Sequence, residues 1–245
     1  MSGRLTVVGT GPGNPEQTTP EAIRAIAEAS RFYGYGPYLD RLVLRPDQER
    51  VASDNREELS RAKAALKAAA AGQNVCVVSG GDPGVFAMAA AICEAIEDGP
   101  PAWRALDVEM VPGVTAMLAV AARAGAPLGH DFCAINLSDN LKPASLVEAR
   151  VRAAAGAGFA MAFYNPRSAS RPDTFARVLG VLRETCEPAR LVTFARAVST
   201  PDEQIRTVSL AEAMPDMADM RTVVIVGNAA TRRVGRFVYT PRSAA

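Results

Sequence analysis

The first half of the chain alternates short apolar runs with amphipathic helical patterns. Apolar runs at residues 5–8, 75–78 and 108–111 are typical of strands buried inside a parallel sheet. A loop containing glycine or proline follows each run, and a helical pattern follows each loop. This repeated order of strand, loop and helix predicts a mainly parallel sheet covered by helices.

Two helices carry clear local signals. Thr19 is placed to cap a helix whose first position is Pro20, and Ile23, Ile26 and Ala27 are predicted to form its apolar stripe. Further along, a second helix carries apolar residues at the i, i+3, i+4 and i+7 positions that mark a buried face. These residues are Phe175, Val178, Leu179 and Leu182.

The second half of the chain has a different order. Strand-like runs at residues 132–137 and 159–164 are separated by a helical pattern. Later runs follow one another with room for only a short helix between them, at residues 191–198, 204–210, 222–226 and 236–239. Successive strands without crossover helices predict a mixed or antiparallel sheet. We therefore predict two α/β domains, residues 1–113 and 114–245, with the active site in the cleft between them.

Composition narrows the possible classes of function. Of the 245 residues, 49% are hydrophobic, and 27 Lys and Arg are balanced by 26 Asp and Glu, so the net charge is +1. This balance argues against a general nucleic-acid binder, which needs a concentrated basic field. The four cysteines lie far apart and His130 is the single histidine, which argues against a zinc site. We expect no metal.

Two further features bear on location. The sequence does not open on a basic segment followed by an apolar one, so no signal peptide is predicted. The uncharged run at residues 153–164 is too short to cross a bilayer. We therefore expect a soluble cytoplasmic protein.

Three glycine-containing loops follow the predicted strands of the first domain. They occupy residues 9–13 (GTGPG), 79–83 (SGGDP) and 112–116 (PGVTA). Because the carboxyl ends of parallel strands share one edge of a sheet, we expect these loops to converge on one rim, where open α/β sheets bind ligands. Asp82 has two interpretations here: it caps a helix at residues 83–96, or it contacts a ligand.

The first of these loops does not match a dinucleotide-binding fingerprint. Its spacing is GxGxG with Pro12 inside it, and the next strand-like segment, residues 31–35, ends without the acidic residue that binds ribose hydroxyls. The sequence also lacks the GK[ST] of a Walker phosphate loop. Neither NAD binding nor nucleotide phosphate binding of the Walker type is favoured.

In order and spacing, the three loops resemble those of the tetrapyrrole methyltransferases that use S-adenosylmethionine (SAM). The resemblance extends from Val7 to Val226 and implies the tetrapyrrole methylase fold. Several segments are similar to the family members that methylate a precorrin at carbon 17 in cobalamin biosynthesis: residues 34–38 (GYGPY), 80–88 (GGDPGVFAM), 125–132 (GAPLGHDF), 136–139 (NLSD) and 163–166 (FYNP). Asn136 departs from this pattern, since a serine is expected before Leu-Ser-Asp.

The resemblance implies that SAM binds in the cleft between the two domains and leaves as S-adenosylhomocysteine. Methyl transfer from a sulfonium requires neither a phosphate-binding loop nor a metal, which agrees with the composition. The family's cofactor contacts carry over to Pro12, Gly80, Gly81, Asp82, Thr115, Ala116, Tyr164, Asn165, Ala195 and Gly227.

The resemblance also implies a tetrapyrrole substrate that bears acetate and propionate carboxylates. Basic side chains can pair with them, although any single one can equally be a solvated surface charge. The expected substrate residues are Tyr38, Ser138, Asp139, Arg167 and Arg171, with Arg31, Arg56, Lys142 and Arg196 as further cations. His130 and Asp131 are adjacent and are candidates for acid–base chemistry, together with Tyr35.

The resulting hypothesis is methylation of precorrin-3B at carbon 17, with ring contraction to precorrin-4, by a protein that is expected to form a homodimer. The nearest alternative is a sibling enzyme that methylates another carbon or acts on the cobalt-containing factor III. Alternatives from other classes are a nucleotide-dependent dehydrogenase and a tetrapyrrole carrier without catalytic activity.

Overall fold

The computed structural model describes residues 3–243 and divides into two compact units. The first unit ends at Thr115 and the second begins at Ala116. No helix in the described part of the chain is long and apolar enough to cross a membrane.

Within the described residues, the first unit contains a five-stranded parallel sheet. Its strands are β1 (Arg4–Gly9), β2 (Arg31–Tyr35), β3 (Glu49–Ser53), β4 (Val75–Ser79) and β5 (Asp107–Val111), in the spatial order β3-β2-β4-β1-β5. The helices are α1 (Pro20–Glu28), α2 (Gly36–Leu39), α3 (Glu58–Ala70) and α4 (Met88–Asp98), with 3-10 turns at Pro15–Gln17 and Pro101–Ala105. Because all five strands run in one direction, their carboxyl ends lie along one edge, here called the first carboxyl edge.

The sheet is buried on both faces, as expected for parallel strands covered by helices. The central strand β4 is fully buried. On one face Val77 packs with Leu66 of α3 and Ile92 of α4. On the other, Val8 and Phe32 belong to a second cluster. The predicted parallel sheet is confirmed.

The second unit contains a mixed sheet with a smaller sheet beside it. Its strands are β6 (Gly125–Ala126), β7 (Phe132–Asn136), β8 (Ala160–Tyr164), β9 (Leu191–Arg196), β10 (Gln204–Ser209), β11 (Thr222–Val226), β12 (Arg232–Val234) and β13 (Phe237–Tyr239). The helices are α5 (Ala116–Ala124), α6 (Ala144–Gly156) and α7 (Thr174–Thr185), with a 3-10 turn at Pro215–Met217. The larger sheet has the order β10-β9-β11-β8-β7, and the smaller has the order β12-β13-β6.

Strand directions in the larger sheet confirm the predicted mixed sheet. β11 is antiparallel to both β8 and β9, so those two strands run in the same direction. β7 is parallel to β8, and β10 is antiparallel to β9. The carboxyl ends of β7, β8 and β9 therefore share one edge, here called the second carboxyl edge. The predicted α7 face is buried, as its period requires.

The local predictions for α1 are confirmed in part. Thr19 caps the helix by accepting a hydrogen bond from the Ala22 N–H. The predicted apolar stripe is only partly right, because Ile26 packs against the core whereas Ile23 is 55% exposed. Neighbouring helix positions differ by about 100° around the axis, and the inward side of α1 is formed by Ala22, Ala25 and Ile26.

The structure also corrects the helix predicted at residues 83–96. α4 begins at Met88, and turns and bends occupy residues 83–87. Within this segment Phe86 has a φ of +52°, which no α-helix accommodates. β3 has no counterpart among the predicted strands, because it is a polar edge strand with exposed residues and lacks an apolar run.

Candidate ligand-binding site

The glycine loops after β1 and β4 are joined through their backbones at the first carboxyl edge. The Gly11 N–H donates to the Gly81 carbonyl at 3.2 Å, and the Gly81 N–H donates back to the Gly11 carbonyl at 2.8 Å. Both residues have positive φ, +75° for Gly11 and +66° for Gly81, which glycine adopts without steric cost. Pro12 follows directly and is half-buried. The two loops therefore form one unit.

Asp82 connects the third loop to this pair. Its Oδ2 accepts a hydrogen bond from the Gly113 N–H at 3.0 Å, and its Oδ1 accepts one from the Gly84 N–H at 2.8 Å. Asp82 is therefore not the cap of a helix, since α4 begins only at Met88. The expected convergence of the three loops on one rim is confirmed.

The close approach of the loops explains two of their glycines. A Cβ on Gly113 would lie 2.2 Å from the Gly81 carbonyl oxygen, and a Cβ on Gly9 would lie 2.7 Å from that same oxygen. No side chain fits at such distances. These glycines are therefore required by the packing of the loops themselves, whether or not a ligand is bound.

Two tyrosines lie beside the Gly80–Asp82 segment. A Cβ on Gly80 would lie 2.7 Å from Cζ of Tyr38, so the Tyr38 ring packs directly on the bare glycine. The Tyr35 ring meets the Tyr38 ring edge-on, with centroids 5.4 Å apart. Burial raises the pKa of the Tyr38 phenol above its ordinary value. The structure thus brings Tyr35, Tyr38 and Gly80 together.

A second group of predicted residues meets at the second carboxyl edge. The Tyr164 hydroxyl accepts a hydrogen bond from the Met117 N–H at 2.9 Å, next to Ala116 at the start of α5. Asn165 donates from Nδ2 to Oδ1 of Asn136 at 3.1 Å. That same oxygen accepts the Ser138 N–H at 2.9 Å. Asn136, which the sequence singled out only as a departure from a pattern, is the acceptor that links the end of β7 to the residue after β8.

The strand register extends this second group. Val224 is paired with both Phe163 and Phe194, so the residues that follow each of these, Tyr164 and Ala195, lie at the same level of the sheet. Thr115 is buried and immediately precedes Ala116 in the chain.

Charged candidates in the second unit are largely paired with one another. The Asp139 carboxylate lies 3.8 Å from Nε of Arg171 and 3.3 Å from Nη2 of Arg177. Arg196 bonds Asp219 at 2.8 Å, and Arg167 donates to a backbone carbonyl. Burial lowers the pKa of Lys142, and the nearby charge of Arg150 lowers it further. A substrate carboxylate reaching Arg171 would compete with Asp139.

Three predicted residues of the second unit lie at the opposite edge of its sheet. The Ala160 N–H, at the start of β8, donates to the Asp131 carbonyl, which places Asp131 and the adjacent His130 at that end. The Gly227 N–H donates to the Leu191 carbonyl at the start of β9. With five residues per strand, this edge is roughly 15 Å from Tyr164 and Asn165. In the first unit, Arg31 likewise starts β2 and lies at the edge opposite the glycine loops.

Backbone strain marks both carboxyl edges. The described residues other than glycine with positive φ are Arg56, Phe86, Asn165, Ala197 and Ser199. Each lies in a segment that follows the carboxyl end of β3, β4, β8 or β9. A bulky residue such as Phe86 pays about 1–2 kcal/mol for this conformation, and such strain concentrates at functional sites. Sequence gave no sign of it at Phe86, whereas the Asn-Pro pair at Asn165 is typical of a turn.

Comparison with known proteins identifies the family to which this chain belongs. The family of Tetrapyrrole (Corrin/Porphyrin) Methylases matches residues 4–214 of the chain. The chain belongs to this family. The tetrapyrrole methylase fold inferred from the sequence is confirmed by solved structures as well.

Two relatives of this tetrapyrrole methylase are similar over nearly their full length. A protein of Sinorhizobium sp named precorrin-3B C(17)-methyltransferase is 59% identical over 247 residues, which cover 99% of this chain and 97% of that protein. The crystal structure of the methyltransferase CobJ matches with a TM-score of 0.96 and 60% identity, covering 98% of this chain and all of that one (100%).

A more distant relative was solved with the demethylated cofactor. The uroporphyrin-III C-methyl transferase of Thermus thermophilus, complexed with S-adenyl homocysteine, matches with a TM-score of 0.67 and 25% identity, covering 92% of this chain and 97% of that chain. The described residues suit such a ligand. The two Asp82 oxygens accept one N–H each, so lone pairs remain for an ammonium or a ribose hydroxyl.

Proposed function

We propose that this tetrapyrrole methylase transfers a methyl group from SAM to carbon 17 of precorrin-3B in cobalamin biosynthesis. The observation that carries the proposal is the 59% identity, over nearly the whole of both chains, with the Sinorhizobium protein of that name. The match to CobJ supports it independently at the level of structure. A dehydrogenase and a carrier without activity have no comparable support.

SAM supplies an electrophilic methyl group on a sulfonium centre. The protein has to position a carbon nucleophile against that methyl group and to exclude water. Asp82 and the bare backbone of Gly80 and Gly81 are proposed to hold the cofactor in the first unit. In the second unit, Tyr164 and Asn165 are the proposed contacts, with Thr115 and Ala116 at the junction between the units.

The substrate carboxylates need cations that are already oriented. Arg171 and Lys142 are the proposed partners. Both side chains are partly buried, and the two positive charges are close enough to interact, so a carboxylate could bind between them. Arg167 is a third candidate on the same loop. Tyr38 is proposed to bound the macrocycle, since its ring is fixed against Gly80.

Ring contraction to precorrin-4, a homodimer and a cytoplasmic location remain part of the proposal, as implied by the family resemblance. The acid–base roles of His130, Asp131 and Tyr35 also stay predictions. His130 and Tyr164 lie at opposite edges of the second sheet, one strand length apart. If the His130→Ala variant lost methyl transfer, the reaction would take place at the edge where His130 lies.

The test is an anaerobic incubation of the protein with precorrin-3B and methyl-labelled SAM, followed by mass spectrometry and NMR of the tetrapyrrole. Label at carbon 17 of a contracted ring is the expected result. A parallel incubation with cobalt-factor III separates the two substrates by rate. Label at another carbon, or faster turnover of the cobalt compound, would assign the chain to a sibling activity.

A further inference from the structure

Arg61 is a buried cation whose bonding partners are all neutral. It lies on α3 and is 5% exposed. Its Nε donates to Oγ of Ser53 at 2.7 Å, its Nη2 to the Asp54 carbonyl at 2.8 Å, and its Nη1 to Sδ of Met88 at 3.3 Å. Burial lowers the pKa of this guanidinium, although nearby acidic residues oppose the effect.

A buried guanidinium bonded in this way is not expected to add much to the stability of the fold. Removing a charge from water is costly, and a carboxylate in contact is the usual compensation. Arg61 has no ion pair within 4.0 Å among the described residues. An apolar side chain of similar length would avoid the cost of burying the charge, which offsets the loss of the hydrogen bond to the Asp54 carbonyl. The geometry of its three bonds is therefore the feature that needs an explanation.

All three bonds end at the first carboxyl edge. Ser53 is the last residue of β3, and Asp54 begins the connection to α3. Met88 is the first residue of α4 and directly follows residues 80–87, which include Gly80, Gly81 and Asp82. Arg61 therefore fixes the point at which the proposed cofactor loop enters its helix.

The end of this loop is also its strained part. Phe86, two residues before Met88, has a φ of +52°. A conformation of this kind persists only where the surrounding structure holds it. The first part of the loop is held by the backbone bonds between Gly81 and Gly11 and by the bond from the Gly113 N–H to the Asp82 carboxylate. Arg61 supplies a corresponding anchor at the other end.

We propose that Arg61 is a positioning residue for the cofactor: its three-way bond holds Met88 and thereby keeps residues 80–87 in the shape that binds SAM. This inference rests on the proposed function only in naming SAM as the ligand. The anchoring itself is a property of the chain alone.

The experiment compares Arg61→Met, Arg61→Lys and the wild-type protein. Hydrogen exchange of residues 80–87 reports the loop without any ligand, and calorimetry reports the Kd for SAM. We expect both Arg61 variants to exchange faster in this segment and to bind SAM about tenfold more weakly, equivalent to one lost hydrogen-bonded anchor. The Tm of Arg61→Met should not fall. Arg4→Met, at the start of β1 and therefore at the opposite edge, should leave exchange of residues 80–87 and the Kd unchanged.

Several results would overturn the inference. Wild-type exchange in Arg61→Met would show that the loop needs no anchor, and a drop in Tm larger than that of Arg4→Met would assign Arg61 to stability instead. Recovery of wild-type behaviour in Arg61→Lys would show that the charge matters and the three-way bond does not. If the wild-type protein failed to bind SAM, the proposed function would fail, while the exchange comparison would still decide the role of Arg61.

A double variant tests whether the effect of Arg61 depends on the backbone strain at Phe86. Glycine adopts a positive φ freely, so Phe86→Gly removes the strain of the conformation that the anchor is proposed to maintain. Arg61→Met should then change exchange of residues 80–87 less in the Phe86→Gly background than in the wild type. An equal change in both backgrounds would contradict the link between Arg61 and Phe86.

Discussion

The carboxylate of Asp82 accepts a hydrogen bond at 3.0 Å from the backbone N–H of Gly113, which lies 31 positions later in the chain. This contact ties the loop after β4 to the loop after β5, on either side of β1. The side chain that a local pattern would make a helix cap therefore serves as a connection between strands.

Replacement of Asp82 by asparagine should loosen this rim. The asparagine amide can satisfy only one of the two N–H donors of Gly84 and Gly113, and a partly buried unsatisfied donor costs about 1–3 kcal/mol. We expect a comparable fall in the free energy of unfolding and weaker SAM binding by calorimetry. The control is Asp47→Asn, whose exposed carboxylate bonds only Arg45 in the described chain. Equal Kd values for wild type and Asp82→Asn would contradict the role of Asp82.

A methyl group at Gly113 should be more damaging than its size suggests. Its Cβ would lie 2.2 Å from the Gly81 carbonyl oxygen, so one backbone must move. Overpacking of this kind costs about 1–3 kcal/mol, and we expect Gly113→Ala to lose that much stability in urea unfolding. Gly156→Ala is the matched control, because nothing lies within 4 Å of its Cβ at the end of α6. It should be neutral or slightly stabilising, and an equal loss in both variants would count against the packing argument.

Removal of the Tyr164 hydroxyl should destabilise the first turn of α5, which contains Met117. The Met117 N–H then loses its acceptor, at a cost of about 1 kcal/mol in unfolding free energy. Because Tyr164 also belongs to the proposed cofactor site, Tyr164→Phe should bind SAM more weakly by titration. Tyr239→Phe is a suitable comparison, since its hydroxyl accepts only an exposed bond from Arg232 in the described chain. Matching SAM affinity in the two variants would remove Tyr164 from the site.

Glu187 should make stability depend on pH. Its carboxylate accepts two bonds of 2.8 Å from Arg190, a buried side chain that also donates to the Gly227 carbonyl. The bonds from Arg190 hold the pKa of Glu187 below its ordinary value of 4.5. A lowered carboxyl pKa stabilises the fold above the ordinary value, and this contribution is lost as the pH falls through the lowered one.

The measurement is the free energy of unfolding of wild type and Glu187→Gln between pH 3 and pH 8. We expect a deficit in the variant at neutral pH that shrinks below about pH 4.5. Glu184→Gln removes an exposed pair with Arg152 and should show little deficit at any pH. A deficit in Glu187→Gln that is constant across the range would contradict the assigned cause.

Much of the fold follows from local sequence. Thr19 and Pro20 specify the start of α1. Pro20 occupies the first helical position, and the Thr19 hydroxyl accepts a hydrogen bond from the N–H of Ala22, three residues later. The face of α7 follows from the helical period alone, and β4 follows from an apolar run that only a buried strand accommodates. The order and spacing of the three glycine loops also indicated the family. Their position after parallel strands predicted that they share one rim, because the carboxyl ends of such strands lie along one edge of the sheet.

Other features were decided by contacts between distant residues. Asp82 bonds Gly84 and Gly113 and does not cap a helix, and no local pattern reveals a partner 31 positions away. The anchor at Arg61 depends on Ser53 and Met88 arriving on either side of it, which only packing achieves.

The same holds for His130, a candidate for acid–base chemistry, and for Ser138 and Asp139, which were expected to bind the substrate. A parallel pairing of β7 with β8 places the residue before a strand and the residues after it at opposite edges. Sequence by itself therefore determined most of the elements, apart from β3 and the start of α4, together with the family and the rim of the first sheet, since these depend on short-range periodicity and turn chemistry. Only the tertiary structure decided which side chains share an edge, because strand register and backbone contacts set that across the chain.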